Sequence, residues 1–247
     1  MTTTPAAGAL IQGETITDFE WADADLTEAV FVDCLIDGAQ LGAVVLEGAR
    51  FQRCRILRSR LARADLREAV FEDCVFAGSS DHIGLAVAFS RLDMARFVRC
   101  DLSFATFDGC EMHGLTLEDC NLRGAQFKRV DFTRGLGRRR SEASATFRDC
   151  NFHLADLTEV ALPGCDLAGS RFREADLSGA DLEGADLKGC DLFGAITAEA
   201  RLAGADLRGS ALSGLDISAL ASRAGLQITL DQQYALLTTL GVDVHVD

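Results

Sequence analysis

An apolar residue returns at every fifth position along most of this chain, and that spacing rules out most ways a polypeptide can fold. It starts at Ile16 and recurs as Trp21, Leu26, Phe31, Ile36, Leu41, Leu46, Phe51, Ile56, Leu61, Leu66, Phe71 and Phe76. The pattern breaks near Gly78, runs again from Leu92 to Phe132, breaks once more, and continues from Phe147 to Ile217. Thirty-seven repeats result, and only Thr197 puts a polar residue at the centre. Helices repeat every 3.6 residues and strands every 2.0. A period of five instead fits a chain that turns a corner after each unit, with the centre pointing inward. Four such sides close a square coil of 20 residues, and coils stack at roughly 4.8 Å, the spacing between strands of a sheet. About nine coils then make a rod about 45 Å long, in which each coil buries its centres only against its neighbours.

Two residues before each centre the side chain is small, as in Ala24, Ala29, Cys34, Ala39, Ala49 and Cys54. All nine cysteines occupy this slot: Cys34, Cys54, Cys74, Cys100, Cys110, Cys120, Cys150, Cys165 and Cys190. A free cysteine behaves as a small buried hydrophobe. There is no CxxC pair, and no histidine lies at ligand spacing from a cysteine pair. Core thiols are therefore expected, with no disulfide framework, metal or cofactor.

Composition narrows the partners. The 247 residues carry a formal charge of −14, so polyanions and anionic membranes repel the chain, and neither nucleic acid nor membrane is expected as a direct partner. No run of 18 apolar residues reads as a transmembrane helix. The segment MTTTPAAGALIQGETI lacks the basic and long apolar regions of a secretory signal, which points to the cytoplasm. His82, His113, His153 and His245 are scattered, and no nucleophile elbow, P-loop or dinucleotide fingerprint is present. Catalysis is not expected.

The chain divides into a flexible N-terminus over 1–15, repeats over 16–219, and a tail over 220–247. The two breaks, near 77–90 and 133–146, read as loops leaving the rod, and such insertions often mark a binding face. The second carries Arg134, Arg138, Arg139 and Arg140. Residues 20 apart form columns, so Asp166, Asp186 and Asp206 stack, as do Asp156 and Asp176, with Asp216 two coils beyond. Each aspartate also suits a turn by bonding its own backbone. Residues 151–247 hold 15 acids and 6 basic residues, against 23 and 18 in the preceding 150, which makes the C-terminal part the more anionic end. Seven arginines, Arg50, Arg53, Arg55, Arg58, Arg60, Arg63 and Arg67, form a belt. Pairing with acids of neighbouring coils and a binding patch both account for it. In the tail, LDQQYALLTTLG reads as a helix with Leu230, Tyr234, Leu237 and Leu240 on one face, and Val242, Val244 and Val246 alternate as a short strand. An apolar end needs covering, and a second copy in two-fold symmetry would cover it.

The run ADLSG-ADLEG-ADLKG-CDLFG from Ala175 to Gly194 resembles the pentapeptide repeat family, which implies an all-β, right-handed quadrilateral parallel β-helix over 16–219. The ending ITLDQQYALLTTLGVDV is similar to that of the quinolone-resistance group, Qnr and MfpA. That resemblance implies a homodimer held by a C-terminal helix, with Leu230, Tyr234, Leu237, Leu240, Val242 and Val244 at the interface. It also implies a surface mimicking DNA that binds DNA gyrase or topoisomerase IV and relieves poisoning by fluoroquinolones or peptide toxins. The acidic columns would supply the mimicry. Asp81, His82 and Ile83 of the first loop, with Leu136, Arg138, Arg139 and Arg140 of the second, would touch the enzyme. A structural or adaptor solenoid with no topoisomerase partner is the other reading.

Overall fold

A chain that turns sharply every five residues must bend its backbone at each corner, and the position two after the centre does so. The computed structural model describes residues 5–17, 21–78, 83–134, 142–243 and 245. Twenty non-glycine residues, from Asp23 (φ 59°) to Glu199 (φ 58°), sit in the left-handed region at this corner position. Glycine takes the same place elsewhere, as at Gly184 and Gly204. Many corners are closed by a bond from the fourth residue back to the centre, as when the Ala24 N–H donates to the Trp21 carbonyl at 3.2 Å. That bond with a positive φ at the third residue is a type II turn.

The coils stack in parallel with a regular offset of twenty, giving four faces. Face 1 runs through Ile11, Phe31, Phe51, Phe71, Phe97, Leu117, Phe147, Leu167, Leu187 and Leu207. Face 2 follows Ile16, Ile36 and Ile56 into Phe76, Leu102 and Leu122. Face 3 carries Leu41, Leu61, Val87, Phe107, Phe127, Leu157 and Leu177, and face 4 carries Leu26, Leu46, Leu66, Leu92, Met112 and Phe132. The fold is the parallel β-solenoid that the repeat implies. Its core is a single continuous cluster from Ile16 to Leu220, joined at the tail by Leu236. On face 1 the phenylalanines stack: Phe31–Phe51 at 4.6 Å, Phe51–Phe71 at 4.8 Å and Phe71–Phe97 at 4.6 Å between ring centres.

Two expectations need correction. Residues 10–17 are not a loose lead-in: Leu10–Gln12 and Thr15–Thr17 are strands, pairing with Val30–Val32 and Leu35–Asp37. The first break is narrower than 77–90, because Leu85 and Val87 are buried and Val87 pairs with Leu61 and Phe107. A leucine in the small slot hides that repeat. In the tail, Val244 and Val246 of the expected strand lie outside the described residues. Gly241 (φ 74°) turns the chain there, and the Val242 N–H donates back to the Leu237 carbonyl at 2.9 Å. That six-to-one bond is a Schellman cap, which commits Val242 to closing the helix.

The nine cysteines are free and buried, and they do more than fill space. Seven of them, with Ser170 and Ser210, occupy one inner column at the start of face 2, from Cys34 to Ser210. Side chains in this column donate to the face 1 carbonyl of the preceding coil: Cys54 to Phe31 (3.4 Å), Cys120 to Phe97 (3.3 Å), Ser170 to Phe147 (2.7 Å). Backbone N–H groups left without a turn bond donate to the same atoms, Cys100 to Cys120 Sγ at 3.5 Å and Cys150 to Ser170 Oγ at 3.0 Å. A buried N–H needs an acceptor, and the column supplies it.

Candidate functional site

Each repeat shows three side chains to solvent, the one before the centre and the two after it, so surface charge can be read face by face. The two expected aspartate columns fall on different faces and differ in charge. On face 1, Asp166 is paired with Arg148 (Nε–Oδ2 2.6 Å), Asp186 with Lys188 (2.7 Å) and Asp206 with Arg208 (2.6 Å). On face 3, Asp156, Asp176 and Asp216 accept from the backbone N–H groups of Thr158, Ser178 and Ser218 at 2.9–3.1 Å, and no cation pairs with them among the described residues. Glu159 and Glu199 stand exposed on the same face. From Asp156 to Ala219 no lysine or arginine occupies an exterior position of face 3. That stretch of one face is purely anionic, whereas face 1, on the opposite side of the rod, is close to neutral.

The first half of the rod reads differently. Face 3 there presents Arg60, Arg63, Lys128 and Arg129 against two acids among the described residues, Asp23 and Asp108, the second of which Arg129 holds at 2.7 Å. Face 4 carries eight carboxylates, from Asp25 to Asp131, with Arg67, Arg91 and Arg134 among them. Net charge by chain half conceals this second acidic stripe. The seven belt arginines belong to one coil. Arg53 grips Asp33 with two bonds (2.7 and 2.9 Å), Arg58 pairs with Asp37, and Arg67 bridges Glu47 and Asp65, both at 2.6 Å. Arg50, Arg55, Arg60 and Arg63 make no ion pair among the described residues. Pairing accounts for three of the seven.

The loops leave from diagonally opposite corners. Leu61 pairs with Val87 rather than with a residue twenty on, so six extra residues enter between faces 2 and 3. Leu117 pairs with Phe147, so ten extra enter between faces 4 and 1. The first loop is necked by Gly78 N–H donating to the Ile83 carbonyl at 3.3 Å, with Ile83 exposed. The second opens as an antiparallel ladder between Thr133–Arg134 and Glu142–Ala143. Asp81, His82, Leu136, Arg138, Arg139 and Arg140 lie outside the described residues.

Helix α1 (Leu230–Thr239) closes the C-terminal end of the rod. It is anchored by Gln232, whose Nε2 donates to the Leu207 and Ser210 carbonyls at 2.6 and 2.7 Å, and by buried Leu236. Anchoring through that side leaves Leu230 (86% exposed), Tyr234 (58%), Leu240 and Val242 facing out, with Leu237 half-buried. Val244 lies outside the described residues. The sequence pattern does not single out Gln232, a polar residue whose partners are carbonyls more than twenty positions away.

Comparison with known proteins fits this geometry. The pentapeptide repeat family model matches residues 95–134, 150–189 and 185–219 in eight copies. The structure of full-length QnrB1, a plasmid-mediated fluoroquinolone resistance protein, superimposes with a TM-score of 0.75 at 25% identity, covering 86% of this chain and 99% of that one. The chain is a pentapeptide repeat protein. A trypsin-treated QnrB1 variant gives a TM-score of 0.77 at 25% identity, covering 87% of this chain and 100% of that one. A second such variant gives 0.69 at 24%, covering 96% and 99%. No curated protein sequence matches the chain.

The ionisable groups of this pentapeptide repeat protein are tuned for pairing and burial. Arg208 beside Asp206 holds that carboxyl down at about 2, and Arg53, Arg58 and Arg99 likewise lower Asp33, Asp37 and Asp73. Burial pushes the Cys165 and Cys190 thiols up to about 11 and about 12, which keeps them protonated and unreactive. Among the described residues no group of His, Cys, Asp and Glu is placed to hold a metal, and no helix is long and apolar enough to cross a membrane. What the surface offers chemically is patterned charge on flat, rigid faces.

Proposed function

We propose that this protein binds DNA gyrase or topoisomerase IV in place of DNA and protects the enzyme from fluoroquinolones or from a gyrase-poisoning toxin, as a resistance or self-immunity factor. The observation that carries the reading is the anionic stretch of face 3, five carboxylates with no cation, on a solenoid matching QnrB1 over nearly its whole length. Rows about 4.8 Å apart give a line of negative charge on a rigid support, which suits a surface built for phosphate. Such complementarity acts mainly on the rate and selectivity of association. The outward apolar side of α1 supports two-fold pairing through the tail, which would extend the acidic surface across two copies. Free thiols suit a cytoplasmic setting, and the protein acts by contact rather than by catalysis. An adaptor solenoid is the second reading, favoured by the four arginines without ion pairs. The test is a supercoiling assay with purified gyrase, graded amounts of the protein, and a poison present or absent. Restored supercoiling in the presence of the poison is expected, with inhibition at high dose. No effect on either gyrase or topoisomerase IV, at any dose, leaves the adaptor reading in its place.

A further inference from the structure

Face 3 changes sign along its length, and the change is symmetric about the gap between the Phe127 and Leu157 coils. Counting coils outward from that gap, Arg129 stands opposite Glu159 in rank, and Arg60 opposite Asp216. Between them the exposed Ile196 (52%) matches in rank and position Ala86, on a coil that presents Ala86 and Ala88 beside its centre and the exposed Phe89 at its corner. A two-fold axis lying in the plane of the face and across the rod reverses the rod direction but keeps each residue's position across the face. It therefore brings every residue of one copy against the residue of equal rank and equal position in the other.

We propose that face 3 is a self-complementary docking surface for a second, antiparallel copy of this chain. In that pairing Arg60 meets Asp216, Arg129 meets Glu159 while keeping its pair with Asp108, and Ile196 lies on Ala86 and Ala88 beside the Phe89 ring, twice over by symmetry. No exterior pair of equal rank and position on these coils joins two like charges. Small residues, Ala62, Ala86 and Ala88, let the faces approach closely along the middle of the face, with the Phe89 ring at its edge. Eight coils at about 4.8 Å and a face about 10 Å wide bury roughly 400 Å² per copy. A total near ~800 Å² lies below the ~1,200 Å² of stable interfaces, so the pairing is weak, electrostatic and reversible. It covers the same carboxylates that the proposed topoisomerase contact uses, so self-association at high concentration withholds the acidic face from a partner. The docking itself does not depend on that partner.

Sedimentation of the full-length chain tests it without any enzyme. Mass should double reversibly on lowering salt from 500 to 20 mM, on the tail variant Tyr234→Asp/Leu237→Asp as on the wild type. At least tenfold weaker association at the higher salt is expected. Arg60→Asp should abolish the low-salt species, and adding Asp216→Arg to it should restore that species. Absence of the low-salt species at concentrations of hundreds of micromolar overturns the proposal. So does a folded double variant, checked by circular dichroism, that fails to re-associate.

Discussion

At the scale of single residues, the cysteine column ties sequence to stability most directly. The spacing exposes the slot and its demand for a small side chain. It does not reveal the polar task, because that task depends on which corners lack a turn bond, and this is decided by stacking rather than by local sequence. Cys120 donates to the Phe97 carbonyl and accepts from the Cys100 N–H. Cys120→Ser should retain both bonds, as Ser170 and Ser210 do in the same column, and change stability by under about 1 kcal/mol, within the net worth of one hydrogen bond. Cys120→Ala leaves a buried N–H without an acceptor, which costs about 1–3 kcal/mol. Equal losses in thermal unfolding for the two variants would mean that the column only fills space. The arginine-held carboxylates make a second prediction. Their folded pKa values are depressed, so their contribution is complete above the ordinary value of 3.8 and disappears as pH falls through the folded value, about 2 for Asp206. The melting temperature should therefore drop as pH falls from about 4 to about 2. Each pair is exposed, so each contributes little, and Arg208→Gln should remove only part of the slope.

The repeating element is the corner, and here the sequence is legible wherever the small slot and the apolar centre agree. It fails at Leu85–Val87, where a leucine fills the slot and a returning loop blurs the period. The residue that lets the loop return is Gly84. A Cβ there would overlap the Phe104–Ala105 backbone, and backbone cannot swing aside as a side chain can. Gly84→Ala should cost about 1–3 kcal/mol through overpacking. Gly109→Ala meets the exposed Phe89 ring and should be relieved by rotation of that ring, apart from the strain of its positive φ. Thermal unfolding of the two variants separates them. A milder loss for Gly84→Ala would mean that the loop re-enters the rod with room to spare.

For the whole molecule, the period is enough to give the solenoid and its core, because each coil repeats the same local rule. Which acids matter cannot be read in this way. Columns follow from the offset of twenty, but their neutralisation depends on long side chains reaching across coils, as Arg148 reaches Asp166. The tail carries a prediction at this scale. Tyr234→Asp with Leu237→Asp puts charge on the outward face of α1, and a two-fold dimer held there should dissociate to monomers in sedimentation at 500 mM salt. A mass unchanged from wild type would place the dimer contact elsewhere. In the proposed complex, uncompensated charge on face 3 makes the contact with the topoisomerase. Two triple variants test it against each other: Asp156, Asp176 and Asp216 changed to Asn, and Asp166, Asp186 and Asp206 changed to Asn. Each removes three charges from an aspartate column and keeps side-chain size. Affinity for gyrase should fall at least tenfold for the first, with a weaker salt dependence, and by less than threefold for the second. Equal affinities for the two variants, or a larger loss for the face 1 variant, would contradict the claim.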